Sequence, residues 1–134
     1  MKNKRGDVVV SFAVEGLSDE LHVLAFDGAE ALSELYRFEL DLACESGELD
    51  FHKIVGQPAL LTLTCDGVAR RVHGLVSHLE QHESARRFTV YRASLVPRVW
   101  RLNHRHDCRI FQDKTAKEIV SEVLDLDDVA HRWR

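Results

Sequence analysis

His104, His106 and Cys108 stand two residues apart in a stretch, 103–111, whose pattern predicts extended chain. On a strand they would share one face, and imidazole and thiolate are donors that Zn²⁺ prefers. His73, His78 or His82 would have to supply a fourth. Geometry opposes this reading. Strand side chains two apart lie roughly 7 Å apart along the backbone, whereas zinc ligands converge to about 2.0–2.3 Å from one ion. No Cys/His pair has the usual zinc spacing, so no metal and no cofactor is expected. The histidines read as surface or interfacial groups.

Covalent catalysis finds no better footing. Ser11, Ser33, Ser46, Ser77, Ser84, Ser94 and Ser121 include none in a G-x-S-x-G elbow. Cys108 lies near His106 in sequence but carries no activating motif. Glu45, Glu48 and Asp50 fall in a predicted loop and read as solubilising. The seven glycines are scattered, with no phosphate loop or dinucleotide fingerprint. An enzyme is therefore not expected.

Arg98, Arg101, Arg105 and Arg109, with His104 and His106, make one basic cluster. It reads as a solvated face, as salt bridges to the acidic stretch 125–128, or as a docking surface between subunits. A nucleic-acid patch ranks below these, because the cluster is short and has one nearby aromatic, Trp100, in an acidic protein of net charge −4. No nucleic-acid partner is expected.

The chain has 134 residues, enough for one ordinary domain. Hydrophobic residues at 45% and charged residues at 30% give a globular balance. No apolar run approaches the ~20 residues of a spanning helix. Residues 1–7 are basic, but Ser11 and Glu15 interrupt the apolar stretch beyond them, so no signal peptide is expected. Cys44, Cys65 and Cys108 are odd in number and widely spaced, and read as buried thiols in a reducing compartment.

The elements that must position these groups are mostly of period two. Strands are predicted over 8–14 and 21–26, with Asp27-Gly28 as a turn. Residues 29–35 read as irregular or as a short helical turn. Tyr36, Phe38, Leu40 and Leu42 alternate with Arg37, Glu39 and Asp41, which predicts a strand with one core face and one wet face. Asp50 caps a short helix over 51–55 that stops at Gly56. A strand over 59–65 joins through Asp66-Gly67 to a long partner over 68–82. A turn over 83–85 leads to a strand over 86–95, with Phe88, Val90 and Arg92 on one face and Thr89, Tyr91 and Ala93 on the other. Gly74, inside the long strand, predicts a bulge, a bend or a close backbone approach. Pro97 opens a helical turn over 97–102, and Trp100 would cap one end of a barrel. Thr115 and Glu118 form a capping box, starting a helix over 115–124 with Ile119, Val120, Val123 and Leu124 inward. The expected fold class is mainly β with short helices: bent antiparallel strands in a small barrel with one C-terminal helix. Tyr36, Phe38, Leu40, Gly74, Pro97 and Trp100 are its expected structural residues.

Several pieces resemble one family in the correct order. Residues 31–38 (ALSELYRF) resemble its LS-x-L-Y-x-F strand opening, and residues 54–58 (IVGQP) its GxP step. Residues 72–76 (VHGLV) resemble its hGiV element, residues 91–100 (YRASLVPRVW) its Y-x-a-x-L-x-P-x-x-W element, and residues 109–112 its RIFQ segment. Together they cover about residues 9–126 and resemble the N-terminal module of VgrG proteins, the spike and hub component of type VI secretion systems. The resemblance implies a fold of the phage tail hub type and a structural role. It implies a homotrimer over a tube-ring protein, a following spike with a tip protein and effectors, and contact with a target membrane only through that spike. It also implies cytoplasmic assembly and export by the apparatus itself. Arg98, Arg101, Arg105 and Arg109 would then be a subunit or tube-docking surface. Against that pattern residues 1–134 read as a single module cut short, with the helix over 115–124 beginning the next element. A stand-alone adaptor that binds an effector or a peptide along a strand edge is the alternative.

Overall fold

A computed structural model describes residues 8–45, 48–84 and 87–134, without the side chains of residues 83 and 84. It contains two compact units, one ending at Pro97 and the other spanning Arg98–Arg134.

The first unit is a six-stranded antiparallel sheet. Its strands are β1 (Val8–Val14), β2 (His22–Ala29), β3 (Arg37–Cys44), β4 (Pro58–Cys65), β5 (Val68–Ser84) and β6 (Thr89–Val96). They lie in the order β1-β4-β5-β6-β3-β2. In a flat sheet, five spacings of about 4.8 Å would hold the edges roughly 24 Å apart. Yet Cα atoms of β1 and β2 come within 8 Å of each other, so the sheet is curled into a half-barrel. No ladder joins β1 to β2 among the described residues, and the seam between them stays open.

The core lies on the concave face. Phe38, Leu40 and Leu42 from β3, Leu61 from β4, Val72, Val76 and Leu79 from β5, and Tyr91, Ala93 and Leu95 from β6 are all buried. On β6 the core face is therefore the one carrying Thr89, Tyr91 and Ala93, while Phe88 is exposed. Each such large side chain stabilises the fold by roughly 1.5–3 kcal/mol. Leu49 and Ile54, from the segment between β3 and β4, join the cluster, as do Phe12 and Val14 of β1, Leu21, Cys44 and Ala59. The Tyr91 hydroxyl accepts from the Leu49 amide at 3.2 Å, so the buried phenol is not left unpaired.

Strand β5 is long because it serves two neighbours. Residues 68–75 pair with β4, and residues 75–84 pair with β6. Asp66 and Gly67 both take positive φ, 49° and 79°, as a two-residue primed hairpin turn requires. The bulges in β5 fall between Val76 and His78 and between Gln81 and Glu83, not at Gly74, which stays in register with Ala59. Gly74 instead answers a close approach: a Cβ there would sit 2.4 Å from the Val96 carbonyl oxygen.

Other expectations need correction. Asp27-Gly28 is not a turn. Both residues belong to β2, where Gly28 faces Phe38 in register and a Cβ would lie 2.4 Å from its ring. Here the missing side chain makes room for packing. The predicted helix over 51–55 is a 3₁₀ turn, Phe51–Lys53, capped by Asp50, whose carboxylate accepts from the His52 amide at 3.1 Å. The predicted turn over 83–85 does not begin at residue 83, since β5 runs to Ser84; residues 85 and 86 lie outside the described residues. Of the three cysteines only Cys44 is buried, while Cys65 and Cys108 are exposed.

The second unit holds a 3₁₀ helix, Arg98–His104, and α1 (Ala116–Asp125). The 3₁₀ helix begins one residue after Pro97. Residues 105–112 have no regular structure, so the expected strand over 103–111 does not form. The Thr115 hydroxyl accepts from the Glu118 amide while the Glu118 carboxylate accepts from the Thr115 amide, a complete capping box. Ile119, Val123 and Leu124 are half-buried, but Val120, expected inward, is exposed.

Candidate interaction surface

The basic residues of the second unit sit on elements that cannot bury them. All four arginines are exposed. Arg105 turns toward the chain after α1, with Nε 3.1 Å from Asp127 Oδ2 and Nη2 donating to the Leu126 carbonyl at 3.3 Å. Arg109 donates to Asp107 at 2.6 Å and lies 4.0 Å from Glu122, which also pairs with Lys114. The hydrogen bond from Arg109 holds the Asp107 carboxyl below its ordinary range, and the same bond raises the guanidinium. The expected salt bridge to the stretch 125–128 thus forms for Arg105, whereas Arg109 is compensated from its own segment and from α1. Arg98 has no ion-pair partner among the described residues.

Trp100 is half-buried and meets the His104 ring edge-on at 4.4 Å between centroids. Among the described residues no three His, Cys, Asp or Glu side chains are grouped to hold a metal ion. No hydrogen bond joins Cys108 to His106. Trp133 folds back along α1, donating to Ser121 Oγ at 2.8 Å, with Lys117 5.6 Å from its ring.

The first unit carries a polar network that no local sequence pattern announces. Its residues lie on β3, β5 and β6. Arg92 donates to Asp41 at 2.8 Å, which raises the guanidinium. His82 Nε2 lies 2.7 Å and His78 Nε2 3.4 Å from the two oxygens of Glu80, and these hydrogen bonds, the His82 one first, lower the carboxyl. Ser94 donates to Glu39 at 2.7 Å. A serine beside a carboxylate is a nucleophile-and-base pattern in principle. Here Ser94 is only 4% exposed, so no substrate reaches its hydroxyl. Asp41 is paired with Arg92, and the arrangement suits packing and contact. Cross-strand register brings these groups together, and alternation along β3 is the one signal pointing outward for Glu39 and Asp41. Ser46 lies outside the described residues.

Of the expected structural residues, Phe38 and Leu40 are buried and Tyr36 is half-buried just before β3, its hydroxyl donating to the His73 carbonyl. Gly74 lies against Val96, and Pro97 ends the first unit. Among the described residues no helix is long and apolar enough to cross a membrane.

The phage tail baseplate hub (GPD) family matches residues 29–134. The chain is 39% identical over 125 residues to the type VI secretion system spike protein VgrG4b of Pseudomonas aeruginosa, covering 93% of this chain and 15% of that protein. It is 41% identical over 115 residues to VgrG5 of the same organism, covering 86% and 14%. With the spike protein VgrG3 of Vibrio cholerae the identity is 37% over 122 residues, covering 83% and 12%. The chain thus spans about one-seventh of the length of the curated relatives it matches. In fold it is similar to the E. coli c3393 protein, described as a type VI secretion component with structural similarity to the T4 bacteriophage tail proteins gp27 and gp5. That likeness has a TM-score of 0.81 at 21% identity, covering 90% of this chain and 33% of that one.

Proposed function

Since the chain belongs to the phage tail baseplate hub (GPD) family and is of the VgrG kind, we propose that it is the N-terminal hub module of a type VI secretion spike, used for trimer assembly and docking on the tube. The observation that carries this reading is the family match running unbroken from the end of β2 through α1, across both units. Its work is mechanical. Subunit and tube contacts are made by surfaces that a buried core holds rigid, and the parent protein travels out with the apparatus. The family is structural, and the exposed ion pairs of both units suit a contact surface.

The test is affinity capture of the tagged chain from a lysate of its source bacterium, with bound proteins identified by mass spectrometry. Recovery of tube-ring or spike components is expected. Capture of a single unrelated toxin would favour an adaptor, a reading to which the exposed edge strand β2 lends itself. Charge reversal then locates the surface. Arg105 is committed to Asp127, so Arg101→Glu with Arg105→Glu disturbs the second unit as well as its surface. Arg98→Glu is the cleaner probe. Weakened capture with an unchanged melting curve is expected; unchanged capture would reduce the cluster to a solvated face.

A further inference from the structure

We propose that residues 30–36 form a strap that latches the β2–β3 hairpin onto the first half of β5, holding the curl of the sheet by side chains beyond the point where ladders hold it. Strand β3 pairs with β6, and β6 pairs with β5 only from Leu75 onward. Residues 68–74 of β5 therefore have β4 alone as a ladder neighbour. The strap reaches this segment at two points. At one end, Arg70 Nη2 donates to both oxygens of Glu30 at 2.6 Å. At the other end, the Tyr36 hydroxyl donates to the His73 carbonyl.

The two clasps have different chemistry. Arg70 alternates with buried Val72 and so lies on the core-facing row of β5, near its exposed start. The Arg70 side chain is itself 57% exposed, so its pair with Glu30 is one that water and salt reach. Tyr36 is half-buried and packs edge-on against Phe38, with ring centroids 6.0 Å apart. Its neutral hydrogen bond is indifferent to salt, and burial, then the Glu30 charge, push the phenol pKa up and keep the donor protonated. Between the clasps the chain turns at Ser33, whose φ of 63° is uncommon outside glycine, and Leu32 is 97% exposed. The strap is thus tied at both ends and bare in the middle. The LS-x-L-Y-x-F stretch acquires a physical role: Tyr36 fastens the strap, and Phe38 seats it over Gly28. Raising ionic strength should release the Glu30 end first and leave the Tyr36 end fastened.

Native-state amide hydrogen exchange on the chain at low and high salt tests this. In Arg70→Gln and Glu30→Gln, exchange over β2 should rise roughly two- to five-fold at low salt, the worth of an exposed ion pair, and the difference from wild type should vanish at high salt. In Tyr36→Phe, which leaves a carbonyl without its donor, the rise should be roughly ten-fold and independent of salt. Protection of β4, of the 75–84 half of β5 and of β6 should not change in any of them. Unchanged exchange over β2 in all three variants would overturn the proposal. So would a uniform rise across the sheet, which would make these contacts part of global stability only. Should Tyr36→Phe fail to fold, the salt dependence of the two Glu30–Arg70 variants still decides.

Discussion

All of the fully buried apolar residues among those described lie in the first unit, from Phe12 to Val96, and none lies in the second. The first unit is a sheet whose concave face is dry. The second is a 3₁₀ helix, an irregular stretch and a ten-residue helix, joined by ion pairs, a capping box and one folded-back tryptophan. A helix of that length is marginal in water on its own account. The comparison separates two ways of holding a chain. One removes apolar area from water and is insensitive to salt. The other relies on exposed charges, each worth about 0–1 kcal/mol, and on a cap.

The largest effect that tests this contrast is a cavity in the sheet. Leu61 is 0% exposed, and Leu61→Ala should lower stability by about 2–5 kcal/mol in chemical denaturation. Val123→Ala, on the half-buried face of α1, should cost well under half of that. Equal costs would abolish the distinction between the units.

Next comes the tight approach at Gly74. In Gly74→Ala the added methyl meets the Val96 carbonyl oxygen and the Leu95 side chain. Because the nearest obstacle is backbone, relief requires a strand to move, and a loss of about 1–3 kcal/mol is expected. A melting temperature equal to wild type would mean the strands shift apart freely and the first unit is less rigid than its packing implies.

A smaller change should be confined to the second unit. Thr115→Ala removes the helix cap and should cost about 1 kcal/mol, read as faster amide exchange in α1 with the sheet unchanged. Matching loss of protection in β3 or β6 would show that the units are energetically coupled.

The smallest effect is with acid. The Glu118 carboxyl is held below its ordinary range, first by the Thr115 amide and then by its hydroxyl, and Asp107 is lowered by Arg109. A depressed carboxyl contributes stability that is present above its unfolded pKa and is lost as pH falls through its folded pKa. The α1 amide signals in NMR should therefore change at pH values below the ordinary carboxylate range, before the signals of β1 and β4, the sheet strands without a carboxyl, do. Simultaneous change in both would argue against a separately held helix.

Much of this architecture is legible in single residues. Period-two alternation in β1 and β3, the Asp66-Gly67 hairpin and the Thr115-Glu118 box depend on neighbours within a few residues, so they can be read directly. Asp27-Gly28 misleads for an equally physical reason. The dipeptide has turn propensity, but Gly28 lies opposite Phe38, and ring packing outweighs the local preference. His104, His106 and Cys108 mislead because a shared face presupposes a strand, and the chain there has no partner strand to make one. The basic cluster is visible as composition, while its division into Arg105 with Asp127 and Arg109 with Asp107 is not.

Local chemistry therefore decided strands such as β1, β3 and β4, the apolar face of β3 and where α1 begins, because backbone geometry imposes those periods within a few residues. Strand order, the double pairing of β5, the close approach at Gly74 and the Glu30–Arg70 and Tyr36–His73 contacts were decided only by the tertiary structure. Each of these joins residues tens of positions apart. Their proximity comes from how the whole sheet curls around one core, and no short stretch of sequence contains that information.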